Sequence, residues 1–278
     1  LSIRRQRQMC IRDRAHTLTA NQYKLIANPY ASPLNTVAMT QANAGSKVWM
    51  VDPSLSTVGG YFAYDGSNWA PTTPSASDAY IQSGQGFFVR TPTNSTFTIS
   101  ESHKVIGNSN TWFAKMAPTE TTESADKIRV LLYKQINNEW QLSDGILAVN
   151  TATGNNDLDA TDTQKMLNFN ENIMFKNGTT NLSIEYRALP QSGQVQPMYL
   201  TGTTAQLYQL RVLTEGYSNT TVMPFLQDTT TGTTTPIPTD GTILTVPFTG
   251  IATTSTSPDQ RFKIVYQNVA LNSTTFNT

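Results

Sequence analysis

Tyr23-Lys24-Leu25-Ile26-Ala27-Asn28-Pro29-Tyr30-Ala31-Ser32-Pro33 and Ile81-Gln82-Ser83-Gly84-Gln85-Gly86-Phe87-Phe88-Val89-Arg90 decide the fold class. Each joins a hydrophobic strand to a turn. Pro29 fixes its own φ and disfavours helix at Asn28, so the first strand ends there and the chain turns. Tyr30 is then placed to fold back on the sheet. In the second stretch Gly84 and Gly86 supply the backbone freedom for a tight turn into a strand. Alternation then sends Phe87 and Val89 to one side of the sheet and Phe88 to the other, toward a neighbouring strand that carries Trp49.

Working outward, short runs of alternating hydrophobicity recur between turn residues, the pattern of strands. In the first part they fall at 23–27, 47–51, 61–64, 86–90 and 96–99. Asp52-Pro53, Gly59-Gly60, Asp65-Gly66 and Pro92 punctuate them. Asp65-Gly66, just before Trp69, predicts a hairpin. A second series falls at 127–133, 139–142, 182–188, 205–213, 220–227, 242–248 and 261–267, with Asn137-Asn138 as another hairpin turn. One helical turn or two is expected at 162–167. The segments 229–239 and 252–257 read as Thr-rich surface loops. The expected class is all-β, with two β-sandwich-like domains of short antiparallel strands and little helix. The polar stretch 104–122 marks the boundary. The expected division is 15–104 for the first domain, 105–270 for the second and 271–278 for a tail.

The basic run Arg4-Arg5-Gln6-Arg7-Gln8-Met9-Cys10-Ile11-Arg12-Asp13-Arg14 stands apart. Its back-translation reads as a transposase-type sequencing adapter, and it has no apolar run of the kind a secretory signal needs. Residues 1–14 are therefore expected to be an artefact outside the fold, and the chain a metagenomic fragment. They hold five of the 19 Lys and Arg, one of the 19 Asp and Glu, and the single Cys. The remainder is slightly acidic, against the basic face a nucleic-acid partner requires. Without Cys it has no disulfide, thiolate metal site or cysteine nucleophile. No apolar stretch approaches the roughly 18 residues of a membrane helix, so no membrane insertion is expected.

The two opening segments resemble the "LIGNPYPS … GQGFFV" signature of large secreted and surface proteins of Bacteroidota, found near their C-termini. The order of later segments extends the likeness. In those proteins an "R(V/L)xL" strand, an Asp-rich loop ending "DAxK", an "L(S/T)IxxRALP" strand and a closing "RFxIxY" strand follow. Here stand Arg129-Val130-Leu131-Leu132, then 155–165, then Leu182-Ser183-Ile184-Glu185-Tyr186-Arg187-Ala188-Leu189-Pro190, then Arg261-Phe262-Lys263-Ile264-Val265-Tyr266. Ala27 replaces the usual Gly, Ser83 a common Pro, and Asp162-Thr163-Gln164-Lys165 the "DAxK". The resemblance implies export by type IX secretion and an extracellular or outer-surface location. It also implies upstream domains in the same chain and a C-terminal sorting domain, missing here. It marks Asn28, Pro29, Tyr30, Gly84, Gly86, Phe87, Phe88, Arg187 and Arg261 as structural motif residues.

Candidate sites are few. Asp157, Asp159 and Asp162, with Asn155, offer hard oxygen ligands to Ca²⁺, and no other cofactor is expected. The same residues equally suit an Asx-rich turn whose carboxylates cap backbone amides. Trp49, Tyr61, Tyr64, Trp69, Phe87 and Phe88 suit carbohydrate stacking or, at alternating strand positions, a core. Trp69 beside its turn is the expected exposed one. Asp228-Thr229-Thr230 resembles a Bacteroidota O-glycosylation sequon, with Thr229 as acceptor. The histidines are His16 and His103 alone, and no nucleophile–base motif is present, so an enzyme is not expected. The expected role is a non-catalytic stalk module that presents upstream domains. The alternative is a ligand-binding module, directed to carbohydrate or Ca²⁺-assisted, with a glycan or surface partner.

Overall fold

The computed structural model describes residues 13–74, 79–106 and 125–269. The fold is all-β, as the turn-punctuated alternation predicts, and sandwich-like. Two hydrophobic cores divide it into two lobes. Residues 1–12 of the basic run, most of the 104–122 boundary stretch and the 271–278 tail lie outside the described residues. The expectation for residues 1–14 needs correction at its end. Arg14 opens a strand paired with Ile99, and Asp13 Oδ1 accepts the Glu101 amide at 3.1 Å. The antiparallel partner, Ser95–Ile99, holds Arg14 in the ladder.

The first lobe contains β1 (Arg14–Leu18), β2 (Lys24–Ala27), β3 (Leu34–Asn35), α1 (Thr36–Ala42), β4 (Lys47–Asp52), β5 (Gly60–Tyr64), β6 (Trp69–Ala70), β7 (Tyr80–Ile81), β8 (Gly86–Arg90) and β9 (Ser95–Ile99). A five-stranded sheet runs β2-β8-β4-β5-β6, flanked by the pairs β1-β9 and β3-β7. Asp65-Gly66 makes the β5–β6 hairpin, with Tyr64 opposite Trp69. The inner face buries Ile26, Val48, Met50, Phe62, Phe87 and Val89 against Leu18, Leu34, Phe97 and Ile99.

The helix of this lobe is α1, not the turn expected at 162–167, which is instead β12 (Thr163–Gln164) followed by irregular chain. Side-chain amides account for α1. The Asn35 Oδ1 accepts the Ala38 amide at 3.1 Å, an N-cap. At the other end Asn43 Nδ2 donates to Met39 O at 2.7 Å and to Thr98 O at 2.9 Å, while its Oδ1 accepts the Thr98 amide. Met39 is fully buried, and its contacts outweigh the weak propensity of a Thr-rich segment.

The second lobe contains β10 (Asp126–Ile136), β11 (Glu139–Thr151), β12, β13 (Asn172–Asn177), β14 (Thr180–Ala188), β15 (Val195–Thr201), β16 (Leu207–Glu215), β17 (Val222–Asp228), β18 (Thr233–Pro236), β19 (Leu244–Thr249) and β20 (Phe262–Asn268). They form one sheet in the order β18-β17-β20-β15-β13-β14-β11-β10-β16-β19, with β12 on β14. Strands from both halves of that order share one core, Val130, Leu132 and Val212 with Leu226, Phe262 and Ile264, so the sheet curls over on itself. Asn137 and Asn138 both take positive φ, 51° and 65°, and close the β10–β11 hairpin. Three expectations change. The strand begun at Glu139 runs through Ser143-Asp144-Gly145 to Thr151, β11 and β14 pair in parallel, and the Thr-rich segment 229–239 contains β18.

Candidate functional site

The two signature segments meet as one staple. Asn28 is buried, and its Nδ2 donates to the carbonyls of Ser32, Ile81 and Gln82 at 2.9–3.1 Å. Its Oδ1 accepts the Tyr30 amide at 2.9 Å. Ser83 Oγ donates to Tyr30 O at 2.8 Å. Gly84, with φ of +73°, makes the turn, whereas Gly86 is already strand and faces Leu25 Cδ1 at 3.3 Å from where a Cβ would stand. Pro29 is exposed and Tyr30 folds inward, its hydroxyl donating to Ile99 O at 3.1 Å. Phe87 is fully buried, and Phe88 lies opposite Trp49 on the outer face.

Trp69 departs from expectation. It is 5% exposed and stacks on Tyr64 at 4.2 Å between ring centroids. Its strand β6 is covered by the second lobe, so the hairpin turn does not leave the indole in solvent. A stacking platform on Trp69 is thereby removed. Trp49 and Tyr64 are buried as well, and Tyr61 and Phe88 are half-buried in edge contact with each other.

The seam between the lobes is mainly polar. Arg129, 2% exposed, donates through Nη1 to the carbonyls of Trp69 and Pro71 at 2.8 and 2.6 Å, and through Nε and Nη2 to Glu215. That guanidinium holds the Glu215 carboxyl below its usual range despite burial. Tyr186 Oη donates to Asp65 Oδ2 at 3.0 Å and accepts from Asn68 Nδ2 at 2.7 Å. Asn168 Oδ1 accepts the Tyr61 amide at 2.8 Å, and Trp49 Nε1 donates to Gln164 O at 3.2 Å. Ala70, Ala125, Leu147, Val149 and Ile184 form a small apolar cluster within the seam.

The acidic loop belongs to this seam. Asp159 Oδ1 accepts the Thr161 amide at 2.7 Å, and its Oδ2 accepts Asn155 Nδ2 at 2.6 Å. Asp162 accepts the amides of Asp159 at 3.0 Å and Tyr186 at 2.9 Å, one on each oxygen. Asn155 Oδ1 accepts the Asp157 amide at 2.7 Å. These are the bonds of an Asx-rich turn. Among the described residues no three His, Cys, Asp or Glu side chains gather to hold a metal ion, and Asp157, Asp159 and Asp162 do not converge. Lys47 occupies the loop's inner side, donating to Thr161 O at 2.8 Å and to Asp162 O. Burial pulls its amine down to about 8, against the pull of Asp65 and Asp162.

Lys47 also floors a cleft of about 220 Å³ between the lobes. Asn21, Arg90 and Pro92 line it from the first lobe, and Leu158, Asp159, Asp162 and Gln164 from the second. Sequence reasoning singled out the acidic loop but not Lys47 or Arg90. Their alternation with Trp49 and Phe88 on the outward face was the available signal.

The remaining motif residues, Arg261 and Arg187, form ion pairs within the second lobe. Arg261 holds Asp228 through Nε–Oδ1 at 2.7 Å and Nη2–Oδ2 at 2.6 Å, keeping that carboxyl low although burial opposes it. Arg187 pairs with buried Glu185 at 3.2 Å. Lys165, at the end of the acidic segment, pairs with fully buried Asp144 at 2.5 Å. Thr229 is exposed, with its hydroxyl donating to Arg261 O at 2.9 Å. No helix of the described residues is long and apolar enough to cross a membrane.

No curated protein and no solved structure matches this chain. A family model does, over residues 1–266: the chain belongs to the family described as a domain of unknown function, DUF8693.

Proposed function

We propose that the chain is a non-catalytic structural module of an exported protein at the cell surface, a rigid stalk that presents neighbouring domains. The observation that carries this is the seam. Arg129, Tyr186, Asn168, Lys47 and Trp49 each cross between lobes to a buried or half-buried partner, Lys47 to the carbonyl of Asp162. Hydrogen bonds placed at such points fix one relative orientation, because any other leaves buried donors and charges unpaired. A module with one orientation transmits a fixed spacing, as a stalk requires. The order of motifs from Asn28 to Tyr266, with its likeness to Bacteroidota surface proteins, supports export by type IX secretion.

Protease treatment of intact source cells tests the location. The reading expects an antibody epitope on this chain to disappear from intact cells while cytoplasmic markers survive. An epitope protected until lysis contradicts it.

A further inference from the structure

We infer that the interlobe cleft beside Lys47 and Arg90 binds an uncharged sugar, one pyranose unit of a glycan. Charge and hydrogen-bonding capacity together select a neutral ligand. The cleft holds two cations, Lys47 and Arg90, and two carboxylates, Asp159 and Asp162. No ion pair joins these cations to these carboxylates among the described residues. A small anion entering meets the carboxylates, and a cation meets Lys47. A neutral ligand whose groups both donate and accept meets neither penalty, and sugar hydroxyls are such groups.

The unused capacity matches. Arg90 donates to Asn21, through Nε to its carbonyl at 3.1 Å and through Nη2 to Oδ1 at 3.0 Å, which orients the guanidinium and leaves Nη1 without a hydrogen-bond partner among the described residues. The Gln164 side-chain amide and the Asn21 Nδ2 have no hydrogen-bond partner among the described residues. Asp159 is exposed and retains lone pairs beyond those its loop occupies. Donors and acceptors thus face one another across a volume suited to a single ring, and Leu158 supplies an apolar wall for the ring's C–H face.

Lys47 and Arg90 pair across β4 and β8 on the outer face of the five-stranded sheet, and the next rows on that face carry Trp49, Phe88 and Leu25, then Val51 and Tyr61. Leu25 is 62% and Val51 45% exposed, and the rings of Phe88 and Tyr61 touch edge to face. The location reading and this inference are independent. A surface protein without the sugar site, or the reverse, is a distinguishable result.

The test uses the full chain labelled with ¹⁵N and the indole Nε1–H of Trp49, which donates into the cleft wall at Gln164 O. Probes are glucose, galactose, mannose, N-acetylglucosamine, cellobiose and maltose, with acetate and Ca²⁺ as charged comparisons. At least one saccharide is expected to shift the Trp49 signal saturably, with Kd on the order of 1 mM, and to leave the buried Trp69 signal in place. Arg90→Ala and, separately, Gln164→Ala are expected to weaken that binding about tenfold or more. Gln164→Ala removes a side chain that has no hydrogen-bond partner among the described residues, so a lost fold is not expected of it, and urea unfolding of the variant checks this. A Trp49 shift with acetate or Ca²⁺ but no saccharide, no shift at all, or undiminished binding in Gln164→Ala with Arg90→Ala would overturn the inference.

Discussion

The two lobes solve the same problem, burying polar groups in a β fold, with different chemistry. In the first lobe the ties that fix the turns and the helix are neutral amides: Asn28 joins the signature turns, and Asn43 pins α1 to β9, while the buried carboxyl of Asp52 is met by the Ser54 amide and hydroxyl without an ion pair among the described residues and Lys47 faces the seam. The ion pair of that lobe, Lys104–Glu101, is about one-third exposed. In the second lobe and the seam, Lys165–Asp144, Lys134–Glu171, Arg261–Asp228 and Arg129–Glu215 each carry at least one buried charge. A neutral amide that loses its partner costs about 1–3 kcal/mol. A buried charge that loses its partner costs much more. The second lobe should therefore be the one that responds to charge-removing substitutions.

The sharpest way to break the comparison is Asp144→Ala. It strands Lys165, which is 3% exposed, and should cost about 3–5 kcal/mol. Urea unfolding gives the number, and a loss near zero would show that Lys165 escapes to water. Trp69→Ala should cost a similar 3–5 kcal/mol, through lost packing against Tyr64 rather than charge. A value below 1 kcal/mol would return Trp69 to the surface that its hairpin position predicts.

Lys47, the buried charge at the seam, makes the contrast a matter of pH. Unfolded, its amine titrates near 10.5; folded, near 8. Below pH 8 both states carry the proton and the native state bears the cost of burying it. Between 8 and 10.5 the unfolded state holds more protons, so stability rises with pH, by up to about 3 kcal/mol. Buried tyrosines such as Tyr64, pushed up by burial, add the opposite trend above about pH 10. Denaturation midpoints at pH 7.5 to 9.5 should climb in the wild type and stay level in Lys47→Met. A level wild-type curve would remove Lys47 from the set of buried charges. Asn28→Ala, the first lobe's neutral counterpart, should cost a smaller 1–3 kcal/mol, without pH dependence over that range.

How much of this was legible follows from range. Strand alternation and Asn-Asn or Asp-Gly turns are local, so β2, β4, β5 and β8 and two hairpins could be read directly, as could the inward Phe87. The helix α1 could not, because Met39 burial and the Asn43–Thr98 bonds are long-range. Asp144 and Gly145 interrupt the apparent alternation of β11, yet Asp144 is tolerated because Lys165 and the Ile173 amide meet it in the core. Trp69 was misplaced for the same reason: a turn is visible in the sequence, and the lobe that covers it is not. The acidic loop gave its Asx pattern away, but its place against Lys47 depends on the packing of the lobes.

The central claim is that polar seam bonds lock the lobes in one orientation. Spin labels at Thr93→Cys and Thr231→Cys, both exposed and one in each lobe, test it in a Cys10→Ser background. Pulsed dipolar spectroscopy should give one narrow distance distribution in the parent. The distribution should broaden when Arg129→Ala removes the bonds to Trp69 O, Pro71 O and Glu215. A broad or two-peaked distribution in the parent, or one unchanged by Arg129→Ala and Lys47→Met together, would contradict the account.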